Sequence, residues 1–153
     1  MDATIQELVL LGKVIFSSLL GGVVGLEREF AAKPAGLRTH MLVGATSTFL
    51  VLMAIRAVNF LDTQVSIRSD PIRIVEAIVV GISFLGAGTI LKNTRQDEPI
   101  EGLTTSASIL SVAAVGIAVG FNSFILAVGV TLWNLFVNWG LNYLVQRLKA
   151  KTN

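Results

Sequence analysis

From Leu103 to Val145 the chain carries no Asp, Glu, Lys or Arg. As a single helix this stretch would run about 65 Å at ~1.5 Å per residue. That is roughly twice the ~30 Å hydrocarbon core of a bilayer. A soluble domain has no use for so long an uncharged run, and one membrane crossing cannot hold it. It must fold back, and Gly120-Phe121-Asn122-Ser123 is the one turn signal inside it. Two spans result, about 104–119 and 123–145.

Three further apolar segments precede this one, each near the ~20 residues that a spanning helix needs. They run about 5–26, with Lys13 inside it, then 39–58 and 71–91. Pro34 and Gly36 break the chain between the first two. Asp70-Pro71 opens the third with an N-cap carboxylate and a proline at the first helical position. The expected architecture is all-α: a compact polytopic bundle of about five transmembrane helices, forming one domain over residues 1–153. Four spans is the alternative, with 104–119 re-entrant. Composition agrees. Hydrophobic residues make up 53% and charged residues 14%, against about 25% charged in soluble domains, and the mean hydropathy is +0.73. There is no cysteine, which excludes disulfides, thiolate catalysis, zinc–thiolate sites and iron–sulfur clusters. Met1-Asp2 brings no basic n-region, so the first segment reads as a retained helix and not a cleaved signal.

Lys and Arg in the loops set orientation. One side holds Arg28, Lys33, Arg38, Lys92, Arg95, Arg147, Lys149 and Lys151; the other holds Arg56, Arg68 and Arg73. Eight against three places the C-terminus in the cytoplasm and the N-terminus outside.

Gly81-Ile82-Ser83-Phe84-Leu85-Gly86-Ala87-Gly88 has the look of a phosphate loop, but no strand precedes it and no Lys-Ser/Thr follows. Inside an apolar span its small residues serve close helix packing. Gly21-xxx-Gly25 and Gly116-xxx-Gly120 are expected to do the same. Glu27, Arg28, Glu29, Arg38 and Thr39 gather where the first helix ends and the second begins; Thr104 and Thr105 open the fourth. Two readings stand: interfacial anchoring with exposed ion pairs of little worth, or a polar pocket on the cytoplasmic face. In the second, two helix N-termini offer free N–H groups and positive dipole ends to an anion or to a carboxylate such as Glu27. His40, the one histidine, reads as a packing residue before a proton relay.

Charges inside spans are costly and want partners. Asp70, Arg73 and Glu76 lie along the start of the third helix, and Lys13 starts at a comparable depth on the first. A structural Lys13–Glu76 pair and an ion-handling role are both open. Asn134, Asn138 and Asn142 recur at i, i+4, i+8 and form a polar stripe. Interhelical hydrogen bonding is its simpler reading, a water-lined path the other. Asp97, Glu98 and Glu101 read as a solvated loop.

Together these motifs resemble the MgtC/SapB family of bacterial membrane proteins. The resemblance rests on Gly22-x-x-Gly25-x-Glu27-Arg28-Glu29, Ala35-Gly36-Leu37-Arg38-Thr39, Asp70-Pro71-x-Arg73, Gly81-Ile82-x-Phe84-Leu85-Gly86-Ala87-Gly88 and Gly102-Leu103-Thr104-Thr105-x-Ala107-Ser108. They occur in order between about Gly21 and Gly120. Ser83 and Glu76 depart from it, since the family usually has Gly and an uncharged residue there. The resemblance implies a multi-pass protein of the bacterial inner membrane, linked to growth under magnesium limitation, survival inside macrophages and acid tolerance. For some members it implies restraint of the proton-driven ATP synthase. Several members carry a soluble C-terminal domain, and the sequence to Asn153 is expected to be the membrane domain alone.

The expected function is that of a non-enzymatic regulator of ion or energy homeostasis acting through another membrane protein. The alternative is a small oligomeric transporter or channel. No nucleophile–base pair or metal triad is visible, and no cofactor, metal, nucleotide or nucleic acid is expected. The expected partners are the lipid bilayer, a second copy of the chain in a homodimer, and that other membrane protein.

Overall fold

The computed structural model describes residues 3–62, 72–91 and 102–141. They form five helices: α1 (Ala3–Phe30), α2 (Leu37–Asp62), α3 (Ile72–Leu91), α4 (Leu103–Gly120) and α5 (Phe124–Leu135). The last continues through a π-helical turn, Phe136–Gly140. Four of them, α1 to α4, are long and apolar enough to cross a membrane; Phe124–Gly140 is shorter. The fourth helix, which sequence left open as re-entrant, meets the criterion for a full crossing.

Two helix ends show how the sequence writes the turns. At the end of α1, Lys33 N–H donates to Arg28 O and Ala32 N–H to Glu29 O, each at 3.0 Å. Ala32 has a φ of 52°, so this is a Schellman closure with alanine in the place where glycine is usual. Pro34 then prevents continuation. At the end of α4 the same pattern recurs: Ser123 N–H donates to Ala118 O at 2.8 Å and Asn122 N–H to Val119 O at 3.0 Å. Asn122 takes a φ of 64°, a conformation that asparagine tolerates better than most residues. That makes Gly120-Phe121-Asn122-Ser123 a tight reversal into α5.

The hub is α4, which packs against α1, α2, α3 and α5. Its buried face runs Thr105, Ser108, Ile109, Val112, Ala113, Val115, Gly116, Val119 and Gly120. The apolar core around it includes Val24, Val43, Val51, Ile78 and Ala127. Helices α1, α2 and α4 meet backbone to backbone. A Cβ on Gly21 would strike His40 O, one on Gly44 would lie 2.7 Å from Ser17 O, and one on Gly116 would strike Gly44 O. Hydroxyls bridge the same contacts: Ser17 Oγ donates to Gly44 O at 3.1 Å and Thr48 Oγ1 to Gly116 O at 2.7 Å.

The surface is the reverse of a soluble protein's. Leu8, Leu19, Leu42, Val80, Phe84, Ile125, Trp133 and Trp139 stand exposed, while Arg28, His40, Ser17, Ser47, Thr48, Thr105 and Ser108 are buried. Apolar surface on this scale is tolerated where lipid, not water, is the solvent. The chain is a polytopic membrane protein.

Candidate functional site at the Arg28 end of the bundle

The end of α1, the start of α2 and the start of α4 come together at one end of the bundle. Arg28 lies in the last turn of α1 and is 2% exposed. Its Nε donates to Glu27 Oε2 at 2.5 Å and its terminal nitrogen to Glu27 Oε1 at 2.6 Å. A forked pair of this kind is the strong form of an ion pair, and it neutralises a charge that could not otherwise stay in the bundle. Glu29 turns the other way. Its Oε2 accepts from Leu37 N–H at 2.9 Å and so caps the first turn of α2, where an anion also meets the positive end of the helix dipole. Gly36 makes room for it, because a Cβ there would collide with the Glu29 carboxylate.

His40, fully buried, ties α2 to α4. Its Nδ1 lies 2.9 Å from Gly36 O and its Nε2 2.9 Å from Ser108 Oγ. A carbonyl only accepts, so Nδ1 carries the proton, and in the neutral ring Nε2 accepts from the Ser108 hydroxyl. Arg28 and Glu27 lie within electrostatic reach of the ring. Ser108→Ala would leave Nε2 buried without a donor, at a cost of about 1–3 kcal/mol. A lower midpoint in thermal unfolding in mild detergent checks this; an unchanged midpoint would show that the bridge carries no stability.

The end of α3 closes the cluster. Gly102 precedes α4 with a φ of 91°, and a Cβ on it would lie 2.8 Å from Thr89 O. That position needs glycine twice over, for its conformation and for its closeness.

Several expectations are redirected. Glu27 pairs with its neighbour Arg28 and not with Arg38, which is exposed; the carboxylate at a helix start is Glu29, on α2. Thr105 is buried, but Thr104 points outward. Arg38 and Thr39 line a cavity of about 460 Å³ with Glu29, Gly36 and Leu37. Among the described residues, Lys13 and Glu76 make no ion pair; Glu76 and Arg73 are exposed on α3, a helix that packs on α4 and α2. At that far end the pair is Arg56–Glu7, at 3.5 Å and exposed. Asp70 and Asn142 lie outside the described residues, as do Asp97, Glu98 and Glu101. Asn134 Nδ2 donates to Ser111 Oγ and to Val130 O, both at 2.8 Å, and so joins α5 to α4. Asn138 is 8% exposed, and among the described residues its amide nitrogen has no acceptor. Of the packing glycines, Gly21, Gly25, Gly116 and Gly120 sit in tight contacts, and Gly86 faces Ser106. Gly81 and Gly88 do not pack within the chain: a Cβ on either would meet nothing within 4 Å. Their side of α3 faces away from the other described helices. Among the described residues no three His, Asp or Glu side chains gather as a metal site.

What sequence reading missed is the His40–Ser108 bridge. Its signal was present, since Thr105, Ser108, Val112, Val115 and Val119 recur at helical spacing and mark one inward face of α4.

The segments that meet here also carried the likeness to known proteins. The MgtC family model matches residues 14–147. The chain belongs to the MgtC family. It is 38% identical over 143 residues to an uncharacterized protein of Haemophilus influenzae, covering 93% of this chain and 59% of that protein. It is 39% identical over 108 residues to Protein SapB of Bacillus subtilis, covering 71% and 46%. It is 39% identical over 132 residues to Protein MgtC of Brucella abortus, covering 86% and 50%. The chain thus spans about half the length of the curated relatives it matches. No solved structure matches it. In this MgtC-family chain, Gly25 to Glu29, Gly36 to Thr39 and Gly102 to Ser108 form one polar end.

Proposed function

We propose that this MgtC-family protein is a non-enzymatic regulator in the bacterial inner membrane, acting in adaptation to magnesium limitation and acid stress. It acts on another membrane protein, the proton-driven ATP synthase being the leading candidate. The observation that carries this reading is the closed interior. Gly21, Gly44 and Gly116 bring α1, α2 and α4 so close that not even a methyl group fits between them. Three cross-links join the helices there, Ser17 to Gly44, Thr48 to Gly116 and His40 to Ser108. One chain built this way favours a rigid body that presents a surface over a conduit.

That surface is the Arg28 end, on the side where basic loop residues concentrate, which the positive-inside rule assigns to the cytoplasm. Arg38 and Thr104 are exposed there beside a fixed polar core. Arg38→Ala and Thr104→Ala should therefore accumulate in the membrane normally. They should fail to restore growth of a deletion strain at low magnesium, and should fail to slow ATP-driven proton pumping in inverted vesicles. Full complementation by both variants would remove the site. A homodimer through the open α3 face around Gly81 and Gly88 belongs to the same reading. The second reading, an oligomeric transporter, draws on Glu76, a carboxylate exposed on an apolar helix, which an oligomer could enclose.

A further inference from the structure

A cavity of about 540 Å³ opens between the last turn of α1 and the π-helical turn of α5, lined by Leu26, Glu27, Phe30, Ala31, Leu135, Asn138 and Trp139. Its walls are apolar, and Phe30 and Trp139 are 86% and 73% exposed. Among the described residues its polar side chains are Glu27, Asn138 and, through its indole N–H, Trp139. Asn138 is more than nine-tenths buried, yet its amide nitrogen finds no acceptor. A buried amide left unpaired is costly, so this side chain calls for an acceptor from outside the described chain. Glu27 uses one lone pair on each oxygen for Arg28 and keeps others for a further donor. Its charge is balanced by Arg28, so the pocket is neutral overall. A π-turn inside an α-helix often marks a functional position, and here it contains Asn138.

We infer that this cavity holds the headgroup of a phospholipid bearing a primary amine. Asn138 turns its amide nitrogen, buried in the empty cavity's wall, toward the phosphate and donates to it, the ammonium donates to Glu27, and the acyl chains lie along Leu26, Phe30 and Trp139. The place suits a headgroup: α1 is 28 residues long, about 42 Å, so its final turn reaches the level where hydrocarbon gives way to headgroups. A choline headgroup has no N–H to give to Glu27, and a glycerol headgroup brings an uncompensated negative charge. The inference is independent of the regulatory reading.

Trp139 reports on the site directly. In a Trp133→Phe variant it is the sole tryptophan, and its fluorescence is quenched by brominated acyl chains that settle beside it. The purified variant is placed in phosphatidylcholine vesicles holding increasing fractions of brominated phosphatidylethanolamine, phosphatidylglycerol or phosphatidylcholine. Brominated phosphatidylethanolamine should quench with a relative affinity about fivefold above the other two, the worth of one net hydrogen bond. Glu27→Met/Arg28→Met in the same background, which removes the carboxylate together with its partner charge, should bring the ratio to one, whereas Asn138→Leu should leave it unchanged, since all three lipids carry the phosphate. Equal quenching by all three lipids overturns the inference and leaves the amide to water. Equal quenching by phosphatidylethanolamine and phosphatidylglycerol overturns the amine assignment. If no lipid quenches Trp139 while Trp133 is quenched in a Trp139→Phe variant, a protein covers the cavity and the inference fails.

Discussion

Gly116→Val is expected to leave little folded protein in the membrane. A Cβ at this position would strike Gly44 O and come within 2.8 Å of Ser47 Cβ, so α2 and α4 must separate. Overpacking of this kind costs about 1–3 kcal/mol. Separation also stretches the Thr48–Gly116 and Ser17–Gly44 bonds, each worth about 0.6 kcal/mol in a membrane protein. Together that is about 2–4 kcal/mol, a large part of a typical folding free energy of ~5–15 kcal/mol. The contrast is Gly129→Val and Gly12→Val, where an added Cβ meets nothing within 4 Å. Size-exclusion profiles and thermal unfolding in mild detergent should show the first variant aggregated or strongly destabilised and the other two close to wild type. A stable, monodisperse Gly116→Val protein would show that the helices are not in backbone contact.

The second large effect belongs to Glu27→Gln. The Arg28 side chain is 3% exposed and that of Glu27 15%, so loss of the carboxylate strands a cation in the bundle. Breaking a buried pair from one side costs about 3–5 kcal/mol. From sequence alone, Glu27 read either as a member of an exposed ion pair or as a carboxylate for the helix starts of a polar pocket. With Arg28 as its partner, its loss should lower folded yield sharply. The double variant Glu27→Gln/Arg28→Met replaces the pair by neutral groups and should recover most of that yield, because two missing charges cost less than one unpaired charge. If the single variant is as stable as wild type, the pair is solvated and the polar end is not a fixed core.

The five helices were legible because lipid demands long apolar runs and because Pro34, Gly36 and the Gly120–Ser123 turn punctuate them. Their ends were less so. Hydropathy falls away after Leu26, but α1 continues to Phe30, since an interfacial helix stops where its backbone is capped and not where its side chains turn polar. Glycine content announced close packing without saying where. Gly81 and Gly88 resemble Gly21 and Gly116 in sequence, yet among the described residues only the latter face another helix, while Gly44 gave no motif and sits where α1, α2 and α4 meet. The site was half legible: Glu27, Arg28, Glu29 and Thr105 were singled out, but not who pairs with whom. Residues adjacent in sequence rarely face each other on a helix, so the Glu27–Arg28 fork depends on the surrounding burial. His40 and Ser108, 68 positions apart, meet only through the bundle.

The central claim is that a single closed bundle works by presenting a surface and not by conducting. The most direct measurement is ion flux through the purified protein in liposomes, with Mg²⁺ and H⁺ followed by entrapped dyes under an imposed gradient. The account predicts flux equal to that of protein-free vesicles for both ions. A saturable flux of either ion that scales with protein and disappears in Glu76→Gln would contradict it and establish the transporter.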